Sequence, residues 1–424
     1  MTQTTHSLRT AGAGWALAVP LFRARVLALT GWRRRGLAFA AGGASVLAMA
    51  PFHFFPVLWL TLPVLVFLIE AEPEEIASAA PLTRWQRIKA HRCFAAAGAG
   101  WWFGFGYFFA GLVWVAEAFL VEAQQFAVLI PLVISGLPAL LAAFWAAATA
   151  AARGPHLSGP MRVVLLAATL GVAEYARGHV FTGLPWNLLG YALTQPLPLM
   201  QSAAYIGVYG LGLVAVLVFA LPMVLWAQAR TGPLGRRARL SAVAVAVAPL
   251  AVLFVLGAWR LGEPLPAPDV AAKIRIVQPS VPQKEKWRPE NQERIFNDHL
   301  ELSQTSPTGV RDDMAGITHV VWPEAAMPFL PLEYPVALKA IGDILPAGAQ
   351  VIAGALRADY AGEGPQRRRT AIYNSLLVLG AGGGVVTQYD KIHLVPGGEY
   401  LPLQGVLEAI GLQQLTRMRG GFAS

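Results

Sequence analysis

Charge is scarce in this chain. Only 13% of its 424 residues are Asp, Glu, Lys or Arg, about half the ~25% of an ordinary soluble domain. The shortage excludes a conventional soluble globule. Cysteine is scarcer still: Cys93 stands alone, so no intrachain disulfide can form and cysteine usage says nothing about redox compartment. The sequence has no metal-ligand cluster and no glycine loop of the kind that cradles phosphate, so neither a metal nor a cofactor is expected. It has no internal repeat and no low-complexity tail. What is abundant is apolar surface: 55% of residues are hydrophobic, and mean hydropathy is +0.50. Long apolar runs predict a membrane protein. The net charge of +9 could suit nucleic acid, but the arginines cluster beside the apolar runs. They read as topology signals, and no nucleic-acid partner is expected.

Seven runs have membrane character: about 37–53, 54–70, 94–120, 127–152, 161–176, 203–229 and 240–259. The first two are short and joined by PFHFFP, as in a tight helical hairpin. The fifth leads into EYARGHVFTGLPWNLLGYAL, whose charges, glycines, proline and tryptophan predict a partly re-entrant or interfacial segment. Basic residues occupy alternate connections. Arg9, Arg23, Arg25 and Arg33–Arg35 precede the first run, and Arg84, Arg87, Lys89 and Arg92 follow the second. Arg153 and Arg162 follow the fourth, and Arg230, Arg236, Arg237 and Arg239 follow the sixth. VEAQQF has none. The N-terminus is therefore expected in the cytoplasm, and seven crossings deliver everything after about residue 262 to the outer side. Charges following the first apolar stretch argue against a cleavable signal. The Trp and Arg content of 11–30 permits a surface-lying segment.

Near residue 263 the composition changes. Segments 1–36, 37–262 and 263–424 are expected to be a cytoplasmic basic segment, a transmembrane region and an extracytoplasmic domain. In the last, KIRIVQP, THVVWPE, QVIAGA, IYNSLLVL and GVVTQYD read as strands. RPENQERIFNDHLELSQ reads as a helix with Pro289 in its first turn and Phe296 and Leu300 on its apolar face. Residues 333–345 suit a second helix presenting Ala337, Ala340, Ile341 and Ile344. Alternating strands and helices predict an α/β domain.

Four residues could carry chemistry. Glu324 follows an apolar strand in VVWPEAAMP, where Trp322 and Pro323 are expected to desolvate it as a general base; its plainer reading is a loop or capping glutamate. Lys391, after GVVTQYD, could stabilise an oxyanion or simply be a solvated strand-end lysine. Glu399 follows two glycines that allow an unusual backbone path, and is otherwise a turn glutamate. Trp287 in QKEKWRPE could face substrate or lipid, or be half-buried in the ordinary way. His393 is expected to pack or hydrogen-bond rather than react. Glu174 and Arg177 are the notable charges within the runs and read as a structural pair at the outer interface rather than a transport site.

WPE followed by DKIHLVPGGEYLP resembles the carbon–nitrogen hydrolase (nitrilase) superfamily. With the membrane runs, EYARGHVFTGLPWNLLGY and IVQPSVPQKEKW, the resemblance narrows to the apolipoprotein N-acyltransferase family and covers about residues 35–424. It implies a polytopic α-helical membrane region joined to an α/β nitrilase-like α-β-β-α sandwich. It implies a multi-pass, monomeric protein of the bacterial inner membrane that moves an acyl chain from a phospholipid to the N-terminal amine of a diacylated lipoprotein through a thioester. Glu324 would be the base, Lys391 the oxyanion cation and Glu399 a second glutamate orienting the lysine or shuttling protons. Trp287 would lie on a mobile arm at the substrate entrance. The family's nucleophilic cysteine lies downstream of GEYxP, in a Cys-Tyr-Glu context that this sequence lacks, and Cys93 falls in a cytoplasmic loop. The expectation is a C-terminally truncated, inactive form whose sandwich is incomplete and poorly folded alone. Two other readings remain open: a membrane-tethered amidase, and a non-catalytic lipid- or lipoprotein-binding relative.

Overall fold

The computed structural model describes residues 18–72, 91–120, 127–229, 233–306, 308–311, 314–396, 398–400, 409 and 421–423. Arg9, Arg84, Arg87, Lys89, Arg230, VEAQQF and the RMRG of the C-terminal RMRGGFAS lie outside the described residues. The chain divides into two compact units, Met1–Pro264 and Leu265–Ser424.

The first unit is helical. Its elements are α1 (residues 18–27), α2 (Gly31–Ser45), α3 (Leu58–Glu70), α4 (Arg92–Leu112), α5 (Ala116–Leu120) and α6 (Ile130–Arg153). They continue with α7 (Pro160–Arg177), α8 (Leu197–Met200), α9 (Ala203–Ala227) and α10 (Pro233–Leu261). Each of the seven apolar runs corresponds to helix. Among the described residues three helical stretches are long and apolar enough to cross a membrane: Ala127–Arg153, Ala203–Ala227 and Gly235–Leu261. The helices α2 and α3, with 15 and 13 residues, fall short of the ~20 needed for a perpendicular crossing. Helix α7 carries Arg162, Glu174 and Arg177 within 18 residues.

Small residues let these helices approach closely, as expected where apolar attraction alone does not distinguish neighbour from lipid. A Cβ on Gly42 would lie 1.9 Å from the Phe103 carbonyl oxygen, and one on Gly106 would lie 2.0 Å from that of Phe39. The Glu174–Arg177 pair is buried inside the unit, with side chains 7% and 1% exposed, at 3.0 Å. Trp145 Nε1 donates to the other Glu174 oxygen at 2.8 Å. Arg177 also donates to the carbonyls of Leu184 and Trp186, at 2.5 and 2.8 Å, and Tyr107 donates to that of Asn187 at 3.0 Å. The pair is thus a structural clasp on the irregular segment after α7, which forms two short 3-10 turns.

The second unit is a five-stranded mixed sheet in sequential order. Its strands are β1 (Ile274–Ile276), β2 (His319–Val321), β3 (Gln350–Ala361), β4 (Arg368–Gly380) and β5 (Val385–Asp390). The first three are parallel, and β3–β4–β5 is antiparallel. Helices α11 (Gln283–Lys286), α12 (Gln292–Ser303) and α13 (Pro335–Asp343) lie in the crossovers. One sheet face, with Val320, Val351, Ala353, Leu377 and Leu379, is buried with Phe296 and Ile341 from α12 and α13. On the other face Ile276, Leu376 and Tyr389 remain 78%, 39% and 53% exposed. The strands QVIAGA and IYNSLLVL are longer than predicted: β3 and β4 run on as a hairpin to Ala361 and Arg368.

His299 on α12 is buried; its ring lies tilted at 50° to that of Trp322 with centroids 5.0 Å apart, and Nδ1 meets the Ile295 carbonyl at 2.7 Å. Burial lowers its pKa from 6.5, only partly offset by that carbonyl. The unfolded state therefore binds the proton first on acidification. This contribution to stability is complete above about pH 6.5 and is lost as pH falls toward the folded-state value. A His299→Phe substitution is expected to flatten the stability of the domain across that window, as read by denaturant unfolding at stepped pH.

Candidate active site

Three turns of chain bring the sequence-predicted carboxylates and lysine together. The first follows β2. Pro323 has no N–H with which to continue a ladder, so the chain leaves the sheet there, after Trp322 N–H has donated to the Ile352 carbonyl at 2.9 Å. Ala325 takes a left-handed φ of 47°, and Ala326 N–H returns to the Gly354 carbonyl at 2.9 Å. Glu324 projects from this turn. Its side chain is 67% exposed, which corrects the expectation that Trp322 and Pro323 desolvate it. Trp322 instead turns into the core, where its indole donates to Ser303 Oγ at 2.8 Å.

The second turn follows β5. Lys391 N–H donates to the Asn374 carbonyl at 2.8 Å, one residue beyond the β4–β5 pairing. The preceding Asp390 is clamped: Arg357 grips it through Nε at 3.0 Å and a terminal nitrogen at 2.8 Å, and Ser375 Oγ donates at 2.6 Å. The Arg357 hydrogen bonds hold the Asp390 carboxyl below its ordinary value and raise the guanidinium's. A planar bidentate grip of this kind fixes direction as well as distance, so it aims the residue that follows.

The third turn carries Glu399. Its carboxylate accepts from Val395 N–H at 2.8 Å, and its own N–H returns to the Val395 carbonyl at 2.8 Å. Gly398 has no left-handed φ, and Gly397 lies outside the described residues, so an unusual glycine path is not what shapes the described part of this turn. His393 is exposed rather than packed.

Lys391 Nζ lies 2.9 Å from Glu399 Oε1 and 3.6 Å from Glu324 Oε1. Asn374 Nδ2 bridges the same two oxygens at 2.6 Å to Glu324 and 3.0 Å to Glu399. Burial works against the Lys391 charge, but the Glu399 hydrogen bond and both carboxylates outweigh it and raise its pKa. Burial likewise opposes ionisation of Glu399, and the Val395, Lys391 and Asn374 hydrogen bonds overcome it and lower its pKa. An ammonium and a carboxylate therefore face each other at neutral pH, beside an accessible second carboxylate. Trp287 is half-buried, one residue beyond Lys286, whose ammonium reaches the Glu324 carbonyl oxygen at 3.0 Å.

Sequence reasoning missed Asn374, Lys286 and the Arg357–Asp390–Ser375 clamp. The one available signal was the polar Asn-Ser pair interrupting IYNSLLVL. Among the described residues no group of three or more His, Cys, Asp or Glu could hold a metal.

Membrane-length apolar helices and an α/β unit bearing a Glu–Lys–Glu cluster define a membrane-associated protein with a candidate acid–base site. Comparison with known proteins makes this specific. The profile of the apolipoprotein N-acyltransferase N-terminal domain matches residues 41–221. Proteins named apolipoprotein N-acyltransferase are 41% identical in Rhodopseudomonas palustris over 93% of this chain and 70% of theirs. In Bradyrhizobium diazoefficiens the figures are 41% over 92% and 70%, and in Brucella suis 40% over 94% and 71%. The chain belongs to the apolipoprotein N-acyltransferase family.

Proposed function

We propose that this chain serves the N-acylation of lipoproteins, in which an acyl chain passes from a phospholipid to the amine of an N-terminal diacylglyceryl-cysteine. The observation that carries the reading is the convergence of Glu324, Lys391 and Glu399 in a member of this family. Glu324, accessible and anchored by Asn374, takes the proton of the attacking thiol and then of the attacking amine. Lys391 meets the oxyanion of each tetrahedral intermediate. Glu399 holds the lysine in place and keeps it charged. The sheet with one covered and one open apolar face suits a nitrilase-like α-β-β-α sandwich, whose second sheet packs on the open face. The basic connections support seven spans in the bacterial inner membrane, with the N-terminus cytoplasmic and the site outside.

The thiolate in this scheme is not Cys93. That residue begins α4 in the helical unit beside Arg92, in the basic connection read as cytoplasmic. The residues described supply the proposed base and oxyanion cation, and the thiol that would form the acyl-enzyme is not assigned among them. A soluble acyl thioester should replace that intermediate: the peptide amine adds to the thioester carbonyl, its proton passes to Glu324, and the thiolate leaves.

The test mixes the detergent-solubilised chain with a short-chain acyl thioester and a diacylglyceryl-cysteine peptide and follows the peptide mass. Catalysed N-acylation is expected, reduced about 10²-fold or more by Glu324→Gln and unchanged by Cys93→Ser. Loss of activity in Cys93→Ser would overturn the assignment of the thiol. Peptide binding with no acylation would favour the binding-protein reading, and hydrolysis of small amides without acylation the amidase.

A further inference from the structure

The segment from Pro282 to Asn291 is an arm whose internal bonds are short. Asn291 Nδ2 closes onto the Glu285 carbonyl at 3.0 Å, and Arg294 reaches the Glu285 carboxylate at 3.3 Å. Two side chains tie this region to the turn that presents Glu324. Gln292 Nε2 donates to the Pro328 carbonyl at 2.9 Å, and Lys286 Nζ to the carbonyl of Glu324 itself at 3.0 Å. The second tie is unusual because it bonds the backbone of the candidate base. The carboxylate of the same residue is held by Asn374, so Glu324 is gripped at both ends.

The turn needs such a grip. Ala325 has a left-handed φ, a conformation that persists in a non-glycine residue only when its surroundings enforce it. The enforcing bonds are Ala326 N–H to Gly354 on one side and the Lys286 ammonium on the other. Lys286 is half-buried, and burial lowers its pKa against the pull of the Glu324 charge. A cation with part of its water removed depends on the carbonyl that replaces that water.

We infer that Lys286 is a positioning residue for the acyl-transfer site, latching the arm that carries Trp287 onto the backbone of Glu324 so that the arm and the base move together. The inference rests on the proposed role of Glu324. It makes the arm a coupling element, since any displacement of the arm would be carried through Lys286 to the backbone of the base.

The experiment compares Lys286→Met, Lys286→Arg and Glu324→Gln in the thioester assay and by hydrogen exchange of the full chain. Lys286→Met is expected to lower kcat about 10- to 100-fold, as a misplaced base does, with a smaller change in KM for the peptide. Lys286→Arg, which keeps a cationic donor, should restore most of kcat. Amides of 285–288 and 325–326 should exchange faster in Lys286→Met at an unchanged global Tm. Should Lys286→Met unfold the domain, Lys286→Gln carries the same expectation. Unaltered kcat and exchange in the Met variant, with Glu324→Gln inactive, would overturn the latch alone. An active Glu324→Gln variant would instead remove the reading of the site, and the exchange data would still decide whether Lys286 couples the two segments.

Discussion

Lys391→Met is expected to slow thioester aminolysis severely and, separately, to weaken the fold near neutral pH, where Glu399 is ionised. The catalytic loss follows from the oxyanion role proposed for Lys391, about 10²- to 10³-fold for one such group. The structural loss comes from Glu399, whose side chain is 14% exposed and would lose the ammonium while keeping the Val395 N–H and Asn374. Stranding one member of a fully buried pair costs ~3–5 kcal/mol. Lys391 is 32% exposed, so solvent screening reduces the expected cost to about 2 kcal/mol. The pH dependence has a definite sign. Glu399 has a lowered folded-state pKa, so its stabilisation is present above the ordinary carboxyl value of 4.5 and is lost as pH falls through the folded value. Without Lys391 that lowering shrinks, and the acid limb of the stability curve should move to higher pH. Urea unfolding of wild type and variant between about pH 3 and 7 reads this shift. Coincident acid limbs would show that the ammonium does not hold Glu399 charged.

The same residues show what a sequence can reveal here. Apolar runs became helices, and short β-branched runs became strands, because these signals are local: a period of 3.6 or 2 is set within a few residues. Glu324, Lys391 and Glu399 stood out because each follows a strand end or a turn rich in Pro and Gly. Asn374 did not, because its importance lies in register. Leu356 pairs with Asn374, and Ser375 with Asp390. These pairings put the Asn374 amide between two carboxylates and the Ser375 hydroxyl on the residue before the lysine. A strand read alone offers no partner to reveal this. Arg357 was equally silent, since its partner Asp390 lies 33 residues away. The expected desolvation of Glu324 failed for a related reason. Trp322 and Glu324, two residues apart, would share a face of a regular strand, but the chain leaves the sheet at Pro323, so Trp322 stays in the core while Glu324 projects from the turn.

Gly354→Val should misplace the base without touching any side chain of the site. A Cβ at Gly354 would stand 2.5 Å from the Cα of Glu324, 2.8 Å from the Pro323 carbonyl oxygen and 2.9 Å from Ala325 N. All three are backbone atoms and cannot rotate aside, so the turn as a whole must move. That turn is held through Ala326 N–H to Gly354 and Trp322 N–H to Ile352, so movement breaks or stretches the bonds that impose the left-handed Ala325. Overpacking of this kind costs about 1–3 kcal/mol, and displacement of a general base by an ångström costs about 10²-fold in rate. Gly384 is the matched control. It sits between β4 and β5 at φ −69°, ψ 138°, and a Cβ there meets nothing within 4 Å. Gly384→Ala should leave the rate unchanged and stabilise by about 0.4–1 kcal/mol through the unfolded chain. Thermal unfolding and the thioester assay on both variants separate the two effects. A Gly354→Val protein with full activity would mean that the turn carrying Glu324 need not be packed this closely on β3, and the geometric case for Glu324 as the positioned base would fall with it.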